Sequence, residues 1–158
     1  MKKLDIKFMQ LAMAKARAGV ESGQTPFGAC IVKNGKVIAC SHNIVWQDTD
    51  ITAHAEITAI RLACKSLRTI DLSGCTIYST CEPCPMCFSA CHWSRISRIV
   101  FGAGIQDARR FGFNELAISN LRLKQLTKSK IEIISGLLVK ENIGLFEFWQ
   151  RQPKAKTY

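Results

Sequence analysis

Long apolar runs are missing from this sequence, and so are internal repeats and low-complexity linkers. A helix that crosses a bilayer needs about 20 consecutive apolar residues, and no segment approaches that length. The basic start, MKKLDIKF, is interrupted by Asp5 and Lys7, so it lacks the apolar core of a secretory signal. The 158 residues fit one domain, and we expect a single cytosolic domain over 1–158 with no membrane partner.

Acidic residues are also scarce, since 12 Asp and Glu stand against 22 Lys and Arg, for a net charge of +10. A surplus of this size is compatible with a nucleic-acid partner, and equally with a surface whose charge only keeps the protein dissolved. The two densest basic runs, 122–130 and 151–156, contain no interleaved aromatic residues. They therefore lack the pattern of a platform that stacks single-stranded bases.

Cysteine, by contrast, is abundant, with eight residues in the chain. In a cytosolic protein this number favours free thiols or metal ligands over disulfides. Four cysteines crowd between residues 81 and 91 and are candidates for chemistry. The other four lie in apolar surroundings, where we expect buried and inert thiols; these are Cys30, Cys40, Cys64 and Cys75.

Hydrophobic periodicity and turn residues divide the chain into alternating elements. Asn34-Gly35 is a strong two-residue hairpin signal, so the sheet should open with an antiparallel pair. The β–α–β–α–β pattern that follows should be parallel, which predicts a three-layer α/β domain with a mixed sheet. The predicted strands are 27–33, 36–40, 75–79, 96–101 and 130–134. The predicted helices are 4–21, 52–67, 83–92 and 140–151. A polar loop follows the second strand and runs through 48–50, and residues 105–120 should form loop and a short helix.

The crowded cysteines include a pair with the spacing of metal ligands. Cys84 and Cys87 are three residues apart, so in a helix they project from one face. Pro83 suits a helix start and would place Cys84 in the first turn, where the helix dipole favours a thiolate. Together with His54 they form a three-ligand zinc site whose fourth position is open for water, as in catalytic sites.

Glu56 is the candidate acid/base beside that site. Two residues apart in mid-helix, His54 and Glu56 would point to opposite sides, so both reach one site only at a helix N-terminus. Asp50 and Thr52 offer capping residues there. Zinc brings the pKa of its water from about 15.7 toward about 7, and Glu56 can move that water's proton to the substrate.

Two other interpretations of the cysteines exist. The Cys-x2-Cys-x2-Cys-x3-Cys spacing from Cys81 to Cys91 resembles a bacterial [4Fe–4S] run, which would indicate electron transfer. That run ends in proline, whereas His92 follows here, and the sequence contains no second run. A thioredoxin-like pair would leave His54 and Glu56 unexplained. H-x-E followed by P-C-x-x-C is the signature of zinc deaminases that act on bases, so we expect zinc and hydrolytic deamination.

With these motifs the chain resembles the cytidine deaminase-like superfamily over nearly its full length. The resemblance implies a central mixed five-stranded sheet between helices. The segments 25–29, 50–56, 82–87, 112–115 and 145–149 are similar to those of bacterial guanine deaminases, as are Trp93 and the terminal Tyr158. The tRNA adenosine deaminases share the metal motifs and resemble the chain over 94–103. They usually carry an aliphatic residue where Phe27 stands, and they lack the aromatic C-terminus.

The resemblance to guanine deaminases implies a small-molecule purine as substrate, with guanine converted to xanthine and ammonia. Asn43 would hydrogen-bond the purine, with Phe27 and Trp93 as apolar walls. Glu115 stands where that family has an aspartate that reads the base and assists proton transfer. Tyr158 would close the partner's pocket in a homodimer with swapped C-terminal segments.

From the residues alone, other interpretations of these positions stay open. Phe27 and Trp93 fit a core, Asn43 fits a turn, and Tyr158 fits a frayed end. The alternative activity is A-to-I deamination of tRNA, which the positive charge would suit.

Overall fold

A mixed five-stranded sheet lies at the centre of the protein, whose computed structural model describes residues 3–158. The strand order is β2-β1-β3-β4-β5. The first strand runs antiparallel to both of its neighbours, while β3, β4 and β5 are parallel. This confirms the predicted mixed sheet. The strands are β1 (Gly28–Lys33), β2 (Lys36–His42), β3 (Cys75–Cys81), β4 (Arg98–Ala103) and β5 (Glu132–Ile134).

The opening hairpin turns at the predicted dipeptide. Asn34 and Gly35 have φ values of 50° and 73°, as a two-residue turn of type I′ requires. Asn and Gly tolerate this left-handed conformation better than other residues, so the sequence places the turn at this point.

Helices cover both faces of the sheet and complete three layers. On one face α1 packs Phe8 against Tyr78 of β3. On the other face α3 and α4 pack small and aromatic side chains, Ala59 and Phe88 among them, against β1, β3 and β4. Of the helices between residues 3 and 158, none combines the length and apolar character that crossing a bilayer requires. The helices are α1 (Lys3–Glu21), α2 (Val45–Asp48), α3 (Ala55–Leu67), α4 (Pro85–Trp93), α5 (Ile105–Arg110), α6 (Asn120–Thr127) and α7 (Val139–Gln150).

The start of α4 differs from the prediction by two residues. Pro85, not Pro83, occupies the first helical position, and Cys84 is the N-cap. A residue before proline is pushed into extended backbone, so Cys84 cannot lie inside the first turn. The third helix likewise begins at Ala55 rather than at Thr52, because Thr52 and Asp50 hydrogen-bond each other in the preceding loop instead of capping the helix.

Candidate metal centre and active site

Two helix N-caps meet at one end of the sheet. His54 caps α3 and Cys84 caps α4, with nearly the same extended backbone: φ −62° and ψ 157° for the first, φ −62° and ψ 167° for the second. Cys87 follows in the first turn of α4. His54 Nδ1 lies 3.7 Å from Cys84 Sγ and 3.6 Å from Cys87 Sγ. The structure thus brings the three predicted ligands together.

The spacing of these three atoms fits zinc. Zinc binds imidazole nitrogen at about 2.0–2.1 Å and thiolate sulfur at about 2.3 Å, which puts nitrogen and sulfur about 3.6 Å apart in a tetrahedral site. The ligand atoms of His54, Cys84 and Cys87 all lie within 4.8 Å of one another. Two soft sulfurs and one imidazole are a donor set that zinc favours, and three protein ligands leave a fourth position for water.

The four-cysteine arrangement of an iron–sulfur cluster is not formed within residues 3–158. Cys81 and Cys91 are buried, but neither belongs to the group of ligand atoms that converge. Cys81 Sγ instead lies 3.6 Å from the carbonyl oxygen of Gly104. The reason is the backbone: Cys81 ends a strand and Cys91 lies two turns into α4, whereas the converging ligands belong to helix starts.

The neighbouring polar side chains favour the thiolate form of Cys84. Hydrogen bonding from Cys87 lowers the pKa of Cys84 to about 4, and the bond to His54 adds to this against the effect of burial. The pKa of Cys87 is raised well above its usual value, by the hydrogen bond to Cys84 and by burial. Burial lowers the pKa of His54, but the bond to Cys84 and the charge of Glu56 outweigh it and the net shift is upward.

Glu56 lies beside the three ligands with its carboxyl group buried. It occupies the second position of α3, and its contact with Cys87 places its carboxyl group on the side of the ligands. Ser79 Oγ donates a hydrogen bond of 2.9 Å to Oε1, and Cys87 Sγ lies 3.5 Å from Oε2. Burial raises the pKa of Glu56, while His54 and the Ser79 bond oppose the shift. A raised pKa suits a group that both takes and returns a proton near neutral pH.

Ser79 is a site residue that the sequence patterns do not reveal. It lies on β3, 23 residues from Glu56, and only the packing of that strand beneath the start of α3 brings the two together. Its position two residues before the end of a buried strand is the one available signal.

A clamp of two polar side chains holds the loop before Cys84. Glu82 accepts the backbone N–H of Asn120 at 2.8 Å and that of Ile105 at 3.3 Å. The buried Asn120 amide donates to the carbonyl oxygen of Pro83 at 2.6 Å. The N-termini of α5 and α6 are thereby tied to the chain immediately before the metal ligand.

Three of the predicted substrate residues join the metal ligands around a small inner cavity. Phe27 is buried and meets Phe113 edge-on, with ring centroids 4.9 Å apart. Burial raises the pKa of Glu115 to about 7, and the negative charge of Cys84 adds to the shift. The lining residues are Phe27, His54, Glu56, Cys81, Glu82, Cys84, Glu115 and Tyr158.

The last residue of the chain is seated in the site of its own chain. Asn43 is fully buried; its side-chain amide donates to the Tyr158 hydroxyl at 2.8 Å, and its side-chain Oδ1 accepts the N–H of Val45 at 3.1 Å. The Tyr158 ring lies 5.7 Å from that of His54 and 5.9 Å from that of Phe113, measured between centroids. Exchange of this segment between subunits stays a prediction.

A wider cleft opens outside the inner cavity. The inner cavity measures about 10 Å³, space for about one water. The outer cleft measures about 310 Å³, and most of its wall is apolar. His54, Cys84, Glu115 and Tyr158 border both spaces, so the metal ligands lie where the inner cavity and the cleft meet. The cleft is lined by Ile51, His54, Cys84, Pro85, Met86, Phe113, Asn114, Glu115, Leu116 and Tyr158.

Trp93 is the one predicted substrate residue that the structure does not bring to this site. Its side chain is 82% exposed and contacts the ring of the neighbouring His92. It is the last residue of α4, whereas the site contains the first turn of that helix. A rise of about 1.5 Å per residue separates the two helix ends by about 12 Å. Within one chain, Trp93 therefore does not form a wall of the cavity.

Comparison with known proteins agrees with this site. Residues 2–103 match the family described as the cytidine and deoxycytidylate deaminase zinc-binding region. The chain is 39% identical over 152 residues to a guanine deaminase of Bacillus subtilis, covering 96% of this chain and 97% of that protein. It is 36% identical over 152 residues to a tRNA-specific adenosine deaminase of the same organism, covering 96% of this chain and 92% of the other.

A solved guanine deaminase from Nitrosomonas europaea has the same fold. The two superpose with a TM-score of 0.86 at 29% identity, over 93% of this chain and 85% of that one. The family match covers both the His54 and the Cys84 segments. This protein belongs to the cytidine and deoxycytidylate deaminase family and is a hydrolytic deaminase.

Proposed function

We propose that this enzyme deaminates free guanine, adding water and releasing xanthine and ammonia. The observation that carries the proposal is the position of Tyr158, which is bonded to Asn43 and borders both the inner cavity and the outer cleft beside His54 and Cys84. An aromatic side chain at a mostly apolar cleft of about 310 Å³ beside the metal ligands suits a planar base better than a polynucleotide. Similarity to guanine deaminases over nearly the full chain supports the same substrate.

Asn43 and Phe27 would hold the base. The Asn43 side chain donates one N–H to Tyr158 and accepts the backbone N–H of Val45. A second N–H and a second lone pair of the side-chain amide therefore remain for a purine edge. The Phe27 ring is fixed by edge contacts with Phe113 and Phe146 and offers a rigid apolar surface. A base held in this way cannot turn freely, which keeps its reacting carbon in one place.

Glu56 would carry the proton during hydrolysis. His54, Cys84 and Cys87 would hold zinc, which when bound is a Lewis acid that lowers the pKa of water. Glu56 lies beside these ligands, so its carboxylate can take a proton from the attacking water. It then returns that proton to the ring nitrogen next to the reacting carbon and assists departure of the amine.

Glu115 would read the base from the opposite side of the cavity. With a pKa of about 7, its carboxyl group exists in both protonation states near neutral pH and can accept from or donate to the purine. By resemblance, guanine deaminases carry an aspartate at this position, one methylene shorter, so Glu115 is also the residue we expect to tune which purine is preferred.

A second candidate function is deamination of adenosine in tRNA. Two observations favour it: the net charge of +10 and the 36% identity to a tRNA-specific adenosine deaminase. For an anticodon loop to reach Glu56, Tyr158 would have to leave its position. In a homodimer with exchanged C-terminal segments, each subunit would place its Tyr158 in the site of the other. This homodimer remains part of the proposal.

An ammonia-release assay across substrates tests the proposal. The panel contains guanine, adenine, cytosine, their nucleosides and a tRNA anticodon arm, with the Glu56→Gln protein as the blank for each. We expect guanine to give the highest kcat/KM. Turnover of the anticodon arm without turnover of any free base would overturn the guanine proposal and establish the second candidate.

A further inference from the structure

Two cysteines outside the metal centre face each other across the opening hairpin. Cys30 of β1 and Cys40 of β2 are directly opposite in the antiparallel register. Their Sγ atoms lie 2.7 Å apart, in hydrogen-bonding contact. Both are free thiols, and neither takes part in the deaminase site described above.

The backbone at this position already has the spacing that a disulfide needs. Facing residues of an antiparallel pair have Cα atoms about 4.5 to 5.5 Å apart. Disulfides span Cα distances of about 4.4–6.8 Å, with a sulfur–sulfur bond of about 2.05 Å. Each sulfur therefore has to move by only a fraction of an ångström, and neither strand has to shift.

The two thiols differ in reactivity. Cys30 is fully buried, whereas Cys40 is half-buried on the edge strand β2. The hydrogen bond shared by the pair lowers the pKa of Cys40, and the charge of Lys15 on α1 adds to this against burial. The same bond, together with burial, raises the pKa of Cys30. Since the thiolate is the nucleophilic form, Cys40 is the sulfur that reacts first.

We propose that Cys30 and Cys40 form a reversible redox pair that a hydroperoxide closes to a cross-strand disulfide. The Cys40 thiolate attacks a peroxide oxygen, the O–O bond breaks, and Cys40 becomes a sulfenic acid while the leaving oxygen departs as water. The Cys30 sulfur then attacks Cys40. The S–S bond forms, the S–O bond breaks, and the hydroxide leaves as water with the Cys30 proton. Two thiols and one hydrogen peroxide thus yield one disulfide and two waters.

This assignment replaces the expectation that these two cysteines are inert. Burial alone favoured that expectation, but a buried thiol becomes reactive when a second thiol lies in bonding reach and can resolve the sulfenic acid. The pair belongs to the sheet face that α1 covers, together with Phe8 and Tyr78. Because α3 and α4 cover the other face, the disulfide should form without disturbing the metal ligands.

Mass spectrometry of the metal-loaded, full-length protein tests the pair. After one molar equivalent of hydrogen peroxide, the intact mass should fall by two hydrogen atoms, and dithiothreitol should restore it. A non-reducing digest should contain one linked peptide joining Cys30 to Cys40, with the metal content unchanged. Cys40→Ser should remove the link, whereas the control Cys64→Ser, which alters a half-buried thiol on α3, should keep it.

Two results would overturn the proposal. One is a Cys84–Cys87 link with loss of metal while Cys30 and Cys40 remain free. The other is irreversible oxidation of a single cysteine without any linked peptide. The wild-type digest decides both cases, so the outcome does not depend on how well the serine variants fold.

Discussion

The metal centre and the wall that faces the substrate are built in different ways. His54, Glu56, Cys84 and Cys87 come from two short segments that each start a helix. The wall instead joins Phe27, Glu115 and Tyr158 from three separated parts of the chain, and Asn43 holds Tyr158 by a hydrogen bond. Local sequence therefore places the groups of the reaction, and long-range packing shapes the wall that we propose recognises the substrate. Each variant below tests one side of this difference.

The largest effect should come from Cys84→Ala. Without one of two thiolates the site keeps only two protein ligands, so we expect loss of bound metal and of all measurable deamination. Metal analysis by mass spectrometry is the direct measurement. The matched control is Cys91→Ala, a buried cysteine on the same helix that lies outside the ligand group. A Cys84 variant that retains a full complement of metal would show that the ligand assignment is wrong.

Glu56→Gln should separate chemistry from metal binding. The amide keeps the size of the side chain and can still accept from Ser79, but it cannot carry a proton. We expect kcat to fall by about 10²–10⁴-fold, the usual contribution of a general acid/base, with metal content unchanged. Wild-type kcat in the metal-replete variant would remove Glu56 from its role.

Tyr158→Phe should act on the wall alone. Loss of the hydroxyl leaves the ring in place but removes the hydrogen bond from Asn43. A net hydrogen bond is worth about 0.5–1.5 kcal/mol, so we expect KM for guanine to rise by about two- to tenfold with little change in kcat or metal content. Steady-state kinetics measure this split. An unchanged KM would mean that Tyr158 is not held in place through Asn43.

Ser79→Ala should give a change no larger than that of Tyr158→Phe, and Ser79 lies on the border between the two regions. The variant loses one hydrogen bond to Glu56, so the carboxyl group is held less firmly and kcat should fall by about two- to tenfold. Metal content and KM should stay near their wild-type values. Ser41→Ala serves as the control, because Ser41 is a buried serine on β2 whose hydroxyl donates to the carbonyl oxygen of His42. An equal loss of kcat in both variants would indicate general destabilisation rather than positioning.

Sequence patterns were sufficient where a signal is local. The Asn34-Gly35 turn, the alternating elements and the two metal motifs predicted the mixed sheet and the ligand set, because turn geometry and ligand spacing depend on neighbouring residues. The start of α4 was predicted two residues too early. Both Pro83 and Pro85 suit a first helical position, and it is Pro85, which follows the extended N-cap Cys84, that occupies it.

Patterns failed where an element takes its structure from distant contacts. Helix α6 has little apolar periodicity; Ser119 caps it, and Glu82 accepts the N–H of its first residue. The short α2 lies inside a predicted polar loop. Trp93, which a family resemblance places in the site, lies at the far end of α4 and is exposed within one chain, so its role there stays a prediction.

The most direct test of this account is turnover of guanine against guanosine by one metal-replete preparation. Both compounds carry the same amino group, so the metal centre should treat them alike, but in the proposed binding mode the ribose would meet Tyr158, which borders the cavity. We predict that xanthine forms from guanine and that guanosine is turned over at least about 100-fold less efficiently, the discrimination that about 3 kcal/mol provides. Equal turnover of the two, or a preference for guanosine, would contradict the account.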